Sequence, residues 1–143
     1  MLDALFIAFH VVALGGWAAL LLLRSRRGAT IARAAGALLA AAYGALFALS
    51  WTQAGVLAEG YRLRSVGEFF SDPTLRLLGW THILAFDLWV GAWIAEEARR
   101  IDMPRLAEGV SLSLTALLGP LGLLAFILLR AFKFPPAARL SKH

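Results

Sequence analysis

The stretch Leu77–Arg100, LLGWTHILAFDLWVGAWIAEEARR, decides how this chain is read. From Leu77 to Ala95 it is apolar apart from a few polar groups, and long enough to cross a hydrocarbon core roughly 30 Å thick. His82 and Asp87 lie inside that run. An ionisable side chain at membrane depth costs about 2.5–3.5 kcal/mol on insertion scales, so its presence marks a functional site by default.

The rest of the composition agrees. The chain has 143 residues, of which 60% are hydrophobic, and a mean hydropathy of +0.73. A soluble core this apolar would leave too little polar surface, whereas lipid-facing positions are satisfied by Ala, Leu and Val. Cysteine is absent, which excludes disulfides, thiolate metal sites and cysteine nucleophiles. The net charge of +5 comes from Arg and Lys at the ends of apolar runs, with no separate basic domain. That pattern points to anionic lipid and away from nucleic acid as a partner.

Three further charge-free runs, Ala4–Leu23, Ala34–Ala58 and Gly109–Leu129, are each long enough to span. The sequence therefore predicts an all-α polytopic membrane protein, a bundle of four transmembrane helices at about 4–23, 31–53, 74–98 and 109–132. Residues 1–143 form a single integral membrane domain in this reading. The first run lacks a basic n-region and ends in Arg24, Arg26 and Arg27, so it is expected to stay attached. Asp72 is placed to cap the third helix, with Pro73 at its first position. Between Glu59 and Asp72, Phe69 and Phe70 suit a short amphipathic element at the headgroups. Met103-Pro104 separates helices 3 and 4 into a hairpin. In helix 4, Pro120, flanked by Gly119 and Gly122, predicts a kink that frees the carbonyl of Ala116.

On helix 2, Ala32, Gly36, Ala40, Gly44 and Ala48 recur every four residues, a small-residue stripe suited to close packing within the bundle or to a homo-oligomer. Basic residues are balanced between the two sides of a four-helix topology. The first helix then decides, with its arginines in the cytoplasm and both termini outside.

Helices 1 and 3 run in the same direction, and His10 and His82 lie at matched depth, about 10 Å from the same membrane face. Two such imidazoles could ligate a haem b iron from both sides, or hold a metal with Asp87. Asp87 lies about 140° around its helix from His82, on a line with Trp80, so the two address different neighbours. No Lys or Arg lies in any hydrophobic run to pair with Asp87, so the neutral acid is the form hydrocarbon favours, and a protonated Asp is a donor. Tyr43 and the Ala116 carbonyl, near mid-depth, are its expected partners. Glu96 and Glu97 beside Arg99 and Arg100 read as a solvated charge cluster. Phe86, Trp89 and Trp93 form an aromatic stripe at helical spacing that would suit a flat polyene.

Two segments, Trp80-Thr81-His82-Ile83-Leu84-Ala85-Phe86-Asp87-Leu88 and Leu118-Gly119-Pro120-Leu121-Gly122-Leu123, resemble the small membrane family named after the plant abscisic-acid-deficiency-four protein, also called neoxanthin-synthase-like. The resemblance covers about residues 69–130, with Ser50-Trp51 matching earlier, and places Trp80, His82, Asp87 and Pro120 on the motif. It departs at Ala92, where members often carry Arg. It implies a four-helix membrane protein, needed in plants when violaxanthin becomes neoxanthin. The preference for Arg over Lys looks bacterial and points to a multi-pass inner-membrane protein.

The expectation from residues and resemblance together is a protein that binds or isomerises a carotenoid or other isoprenoid lipid within the bundle. Asp87 and His82 would be catalytic, and Trp80, Tyr43, Phe86, Trp89 and Pro120 would bind substrate. A haem protein using His10 and His82, and a non-catalytic scaffold, are the alternatives.

Overall fold

A computed structural model describes residues 1–51 and 63–133. Among these residues the chain forms six helices: α1 Leu2–Leu22, α2 Arg26–Leu49, α3 Leu63–Ser71, α4 Pro73–Arg100, α5 Arg105–Leu118 and α6 Pro120–Lys133. Three of them, α1, α2 and α4, are long and apolar enough to cross a membrane. The part of the second predicted span beyond Trp51 lies outside the described residues.

Local chemistry sets the boundaries. Ser25 accepts from Gly28 N and starts α2 at Arg26, earlier than its charge-free run suggests. Asp72 caps α4 by accepting from Thr74 N at 2.7 Å and Leu75 N at 2.9 Å, with Pro73 contributing no orphan N–H. Phe70, on amphipathic α3, packs on Gly79, where a β-carbon would lie 2.6 Å from its ring.

Helix α4 is the centre of the bundle. Leu88 fills the notch at Gly16 of α1, and Trp17 of α1 lies on Gly91. Gly36 of α2 meets Trp89 and the Ala85 carbonyl. Small residues are needed at such points because helices in lipid are held by close van der Waals contact. The small-residue stripe of α2 meets α4 for only part of its length: Ala32 and Gly36 are buried, but Ala40, Gly44 and Ala48 are exposed. A spacing of four advances about 40° per step around a helix, so the stripe winds off its partner. Buried hydroxyls on α4 and α5 are satisfied within their own helices: Thr81 donates to Leu77 O, Ser111 to Ala107 O and Thr115 to Ser111 O.

The predicted fourth span is the principal correction. In place of one kinked helix, α5 and α6, 14 residues each, fold back on one another at Gly119-Pro120. A β-carbon on Gly122 would lie 2.0 Å from Thr115 N, whereas along a continuous helix seven residues separate two positions by about 10 Å. The returning limb follows α4: Gly119 lies at Asp87, Phe126 stacks edge-on with Trp93 at 5.4 Å, and Arg130 reaches Glu97 at 2.8 Å. Each limb is about 21 Å long, too short to cross, so the pair forms a re-entrant hairpin whose turn reaches mid-depth. Gly119 has φ +51°, a conformation other residues rarely adopt. Irregular backbone at membrane depth is tolerated only where protein or a cavity surrounds it.

Because α6 returns, Arg130 joins Arg24, Arg33, Arg99, Arg100 and Arg105 at one end of the bundle. The four-span expectation of both termini on one side therefore gives way to α1 starting, and α6 ending, at opposite ends. Glu96 and Glu97 are more than a solvated cluster there. Glu96 makes a two-pronged pair with Arg33 of α2, its Oε1 accepting from Nη1 at 2.7 Å, and buried Glu97 pairs with Arg100 and Arg130. Glu108, 3% exposed, lies 2.6 Å from Arg24 Nε, but neither of its oxygens accepts a well-directed hydrogen bond. Burial pushes its carboxyl above the ordinary range, against the pull of Arg24, Arg99 and Arg105.

Candidate functional site

Asp87 sits at the middle of α4 and faces the hairpin turn. An ideal β-carbon on Gly119 would lie 3.5 Å from Oδ1 and 3.7 Å from Oδ2 of Asp87, so the carboxyl rests directly on the turn backbone. It is half-buried, and no Arg of the described residues forms an ion pair with it. Pro120 has no N–H to give the Ala116 carbonyl its helical partner, so the turn adds an acceptor near the same depth. When protonated, this carboxyl can donate a proton to a ligand, and as the carboxylate it can take one back.

Trp80 lies seven residues earlier, about 10 Å along the axis and within about 20° of the same face. Its indole N–H donates to His10 Nε2 at 3.0 Å. His10 Nδ1 is 2.8 Å from the Phe6 carbonyl, so the tautomer with hydrogen on Nδ1 satisfies both contacts at once. The rings of Phe6 and His10 are 4.2 Å apart, and those of His10 and Trp80 stack at 5.8 Å. Below this aromatic group, a groove of about 260 Å³ opens between α1 and α4, lined by Leu2, Asp3, Phe6, Pro73, Arg76, Leu77 and Trp80. The hairpin stops at mid-depth and leaves this part of α4 uncovered by α5 and α6.

The other flank of α4 carries His82. Its ring lies 5.5 Å from that of Tyr43 and 4.6 Å from that of Phe86, and Tyr43 stacks on Phe47. Trp89 lies against Gly36 with the Arg33 guanidinium 5.9 Å above its ring, and Trp93 meets Phe126. Phe86, Trp89 and Trp93 are all at least 40% exposed, so this stripe faces the bilayer.

These placements sort the expected site residues. Asp87, Trp80 and the Pro120 turn share one side of α4; His82, Tyr43, Phe86 and Trp89 share the other. Tyr43 is thus a neighbour of His82, not of Asp87. His10 and His82 are not brought together, because matched depth says nothing about azimuth, and Trp80, which holds His10, lies about 200° around α4 from His82. Both nitrogens of His10 are already engaged, so neither lone pair is free for iron or another metal. Among the described residues no group of three or more His, Asp or Glu is arranged to hold a metal ion. The His10–Trp80 hydrogen bond lies outside the sequence expectations; its signal is an intramembrane donor with no acceptor, opposite a histidine at similar depth.

The family model described as ABA DEFICIENT 4-like matches residues 4–126, a span that includes His10, Tyr43, Trp80, His82, Asp87 and the Gly119-Pro120 turn. No curated protein and no solved structure matches the chain.

Proposed function

The chain belongs to the ABA DEFICIENT 4-like family, and from that premise we propose that it binds a carotenoid or related isoprenoid lipid in the groove between α1 and α4 and isomerises it at Asp87. The observation that carries this reading is a carboxyl that pairs with no Arg of the described residues, resting on the hairpin turn at mid-depth, about 10 Å along α4 from a groove walled in part by Phe6 and Trp80. A polyene enters from the lipid, its rigid chain lies along Phe6 and Trp80, and its reactive bond reaches Asp87. Protonated Asp87 donates to an epoxide oxygen or an alkene carbon, and the resulting carboxylate removes a proton from a neighbouring carbon. The net composition is unchanged, as an isomerisation requires. His82 lies too far around α4 to be the direct partner of Asp87; with Phe86 and Tyr43 it would steady a ligand or lipid on the other flank.

The test is pigment analysis in a host whose carotenoid composition changes when the protein is deleted. Asp87→Asn, present at wild-type level, is expected to reproduce the deletion, and Asp87→Glu to restore part of the activity. Unchanged pigments in Asp87→Asn would refute catalysis by Asp87. If that variant instead lowers the melting temperature alone, Asp87 is a packing residue and the protein a scaffold.

A further inference from the structure

The basic end of the bundle holds a site independent of the one around Asp87. A cleft of about 590 Å³ lies between the start of α2 and the end of α4, lined by Arg26, Thr30, Glu96, Arg99 and Arg100. Its acids are spoken for. Glu96 is taken by Arg33, and the neighbouring Glu97 by Arg100 and Arg130. Among the described residues, Arg26 and Arg99 form no ion pair, although Arg99 lies near enough to Glu108 to draw on its carboxyl, so the cleft retains two guanidiniums outside any ion pair at the level where the spanning helices leave the hydrocarbon. Arg26 also opens a helix with no acid in its first turn, where a positive charge is disfavoured and a counter-anion would relieve it. Guanidinium forks match phosphate oxygens, and Thr30, on the same wall, keeps its hydroxyl on the Arg26 carbonyl at 2.9 Å, which leaves the two guanidiniums as the donors.

We propose that this cleft binds the phosphodiester headgroup of an anionic phospholipid of the surrounding leaflet, with Arg26 and Arg99 gripping the phosphate from α2 and α4. The acyl chains would lie along the apolar surface of α2 below Thr30, where Ile31 and Leu38 are exposed. Position favours a membrane lipid over a soluble anion, because the cleft lies at the end of two spanning helices.

The full chain, purified in micelles containing equal amounts of dioleoyl phosphatidylglycerol and dioleoyl phosphatidylcholine, is examined by native mass spectrometry. Retention of the anionic lipid over the zwitterionic one by about thirtyfold is expected, since each of two guanidiniums contributes about 1 kcal/mol. Arg26→Gln/Arg99→Gln should lose the preference, and Arg64→Gln, at the other end of the bundle, should keep it. Wild-type protein retaining the two lipids in the proportion supplied would overturn the proposal without reference to any variant. So would a folded double variant with undiminished preference. Displacement of the lipid by millimolar inorganic phosphate would overturn it too, by showing a site for free anions instead.

Discussion

The carboxyl of Asp87 rests on Gly119, the residue at which the re-entrant hairpin turns. One constraint acts on that glycine: its φ of +51° disfavours any side chain, whereas a β-carbon there would meet the Asp87 oxygens at 3.5 and 3.7 Å, an ordinary contact distance. Gly119→Ala is expected to cost about 1–3 kcal/mol through backbone strain alone. It should lower the melting temperature of the purified protein and, by shifting the turn from Asp87, reduce activity further than stability. Once Asp87→Ala is in place, adding Gly119→Ala should change activity no further, because the shared contact is already gone.

The hairpin also makes a prediction about sidedness. The chain has no cysteine, so single substitutions can be labelled cleanly. Pro104, between α4 and α5, and Ala131, near the end of α6, are exposed and lie at the same end of the bundle, while exposed Ser71 lies at the other. Among the described residues, Arg24, Arg26, Arg27, Arg33, Arg99, Arg100, Arg105 and Arg130 lie at one end and Arg64 and Arg76 at the other, and on these the positive-inside rule orients the first group to the cytoplasm. In intact cells a membrane-impermeant maleimide should label Ser71→Cys, and should label Pro104→Cys and Ala131→Cys only after permeabilisation. Labelling of Ala131→Cys together with Ser71→Cys would restore a fourth crossing.

Most of the bundle was legible in residue order. The long apolar runs, the Asp72 cap and the lack, among the described residues, of an ion-pair partner for Asp87 follow from composition and spacing, and the runs become α1, α2 and α4. The return of the chain at Gly119 did not follow, because hydropathy counts apolar residues without recording direction, and two short helices side by side read like one long one. The local signal was present in Gly119-Pro120-Leu121-Gly122: one glycine for the turn, a proline to start a helix, and a second glycine where the limbs touch. His10 shows the complementary gap. Depth along a helix can be counted from sequence, but which neighbour a side chain meets depends on packing, and Trp80, not His82, faces it.

Glu108 should give the protein a distinctive response to pH. Its carboxyl is raised by burial, so the protonated form is favoured in the folded state. Such a group contributes stability that is complete below its ordinary value of 4.5 and is lost as pH rises through its folded value. Glu108→Gln should therefore flatten the decline of melting temperature with rising pH in that window, measured by intrinsic fluorescence between about pH 4 and pH 8. Arg24→Gln should do the reverse, steepening the decline and costing about 1–3 kcal/mol near neutrality, because the buried carboxylate loses its nearby cation. Equal slopes in wild type and Glu108→Gln would show that Glu108 does not control this response.

One substitution made at two glycines distinguishes the hairpin from a simple kink. At Gly44, on the exposed continuation of the α2 stripe, a β-carbon meets nothing within 4 Å. Gly44→Ala should thus gain about 0.5–1 kcal/mol from helix propensity. At Gly122 the same methyl would fall 2.0 Å from Thr115 N and 2.4 Å from its hydroxyl, and the backbone it meets cannot rotate away. Gly122→Ala must therefore separate the limbs, pull Phe126 from its buried position and lower the melting temperature sharply, by more than the roughly 1–3 kcal/mol typical of overpacking. If α5 and α6 instead formed one kinked helix, Gly122 would face lipid or a loose neighbour and the two variants would behave alike. Opposite signs in the two melting shifts are the expected result, and a stabilised Gly122→Ala protein would rule the fold-back out.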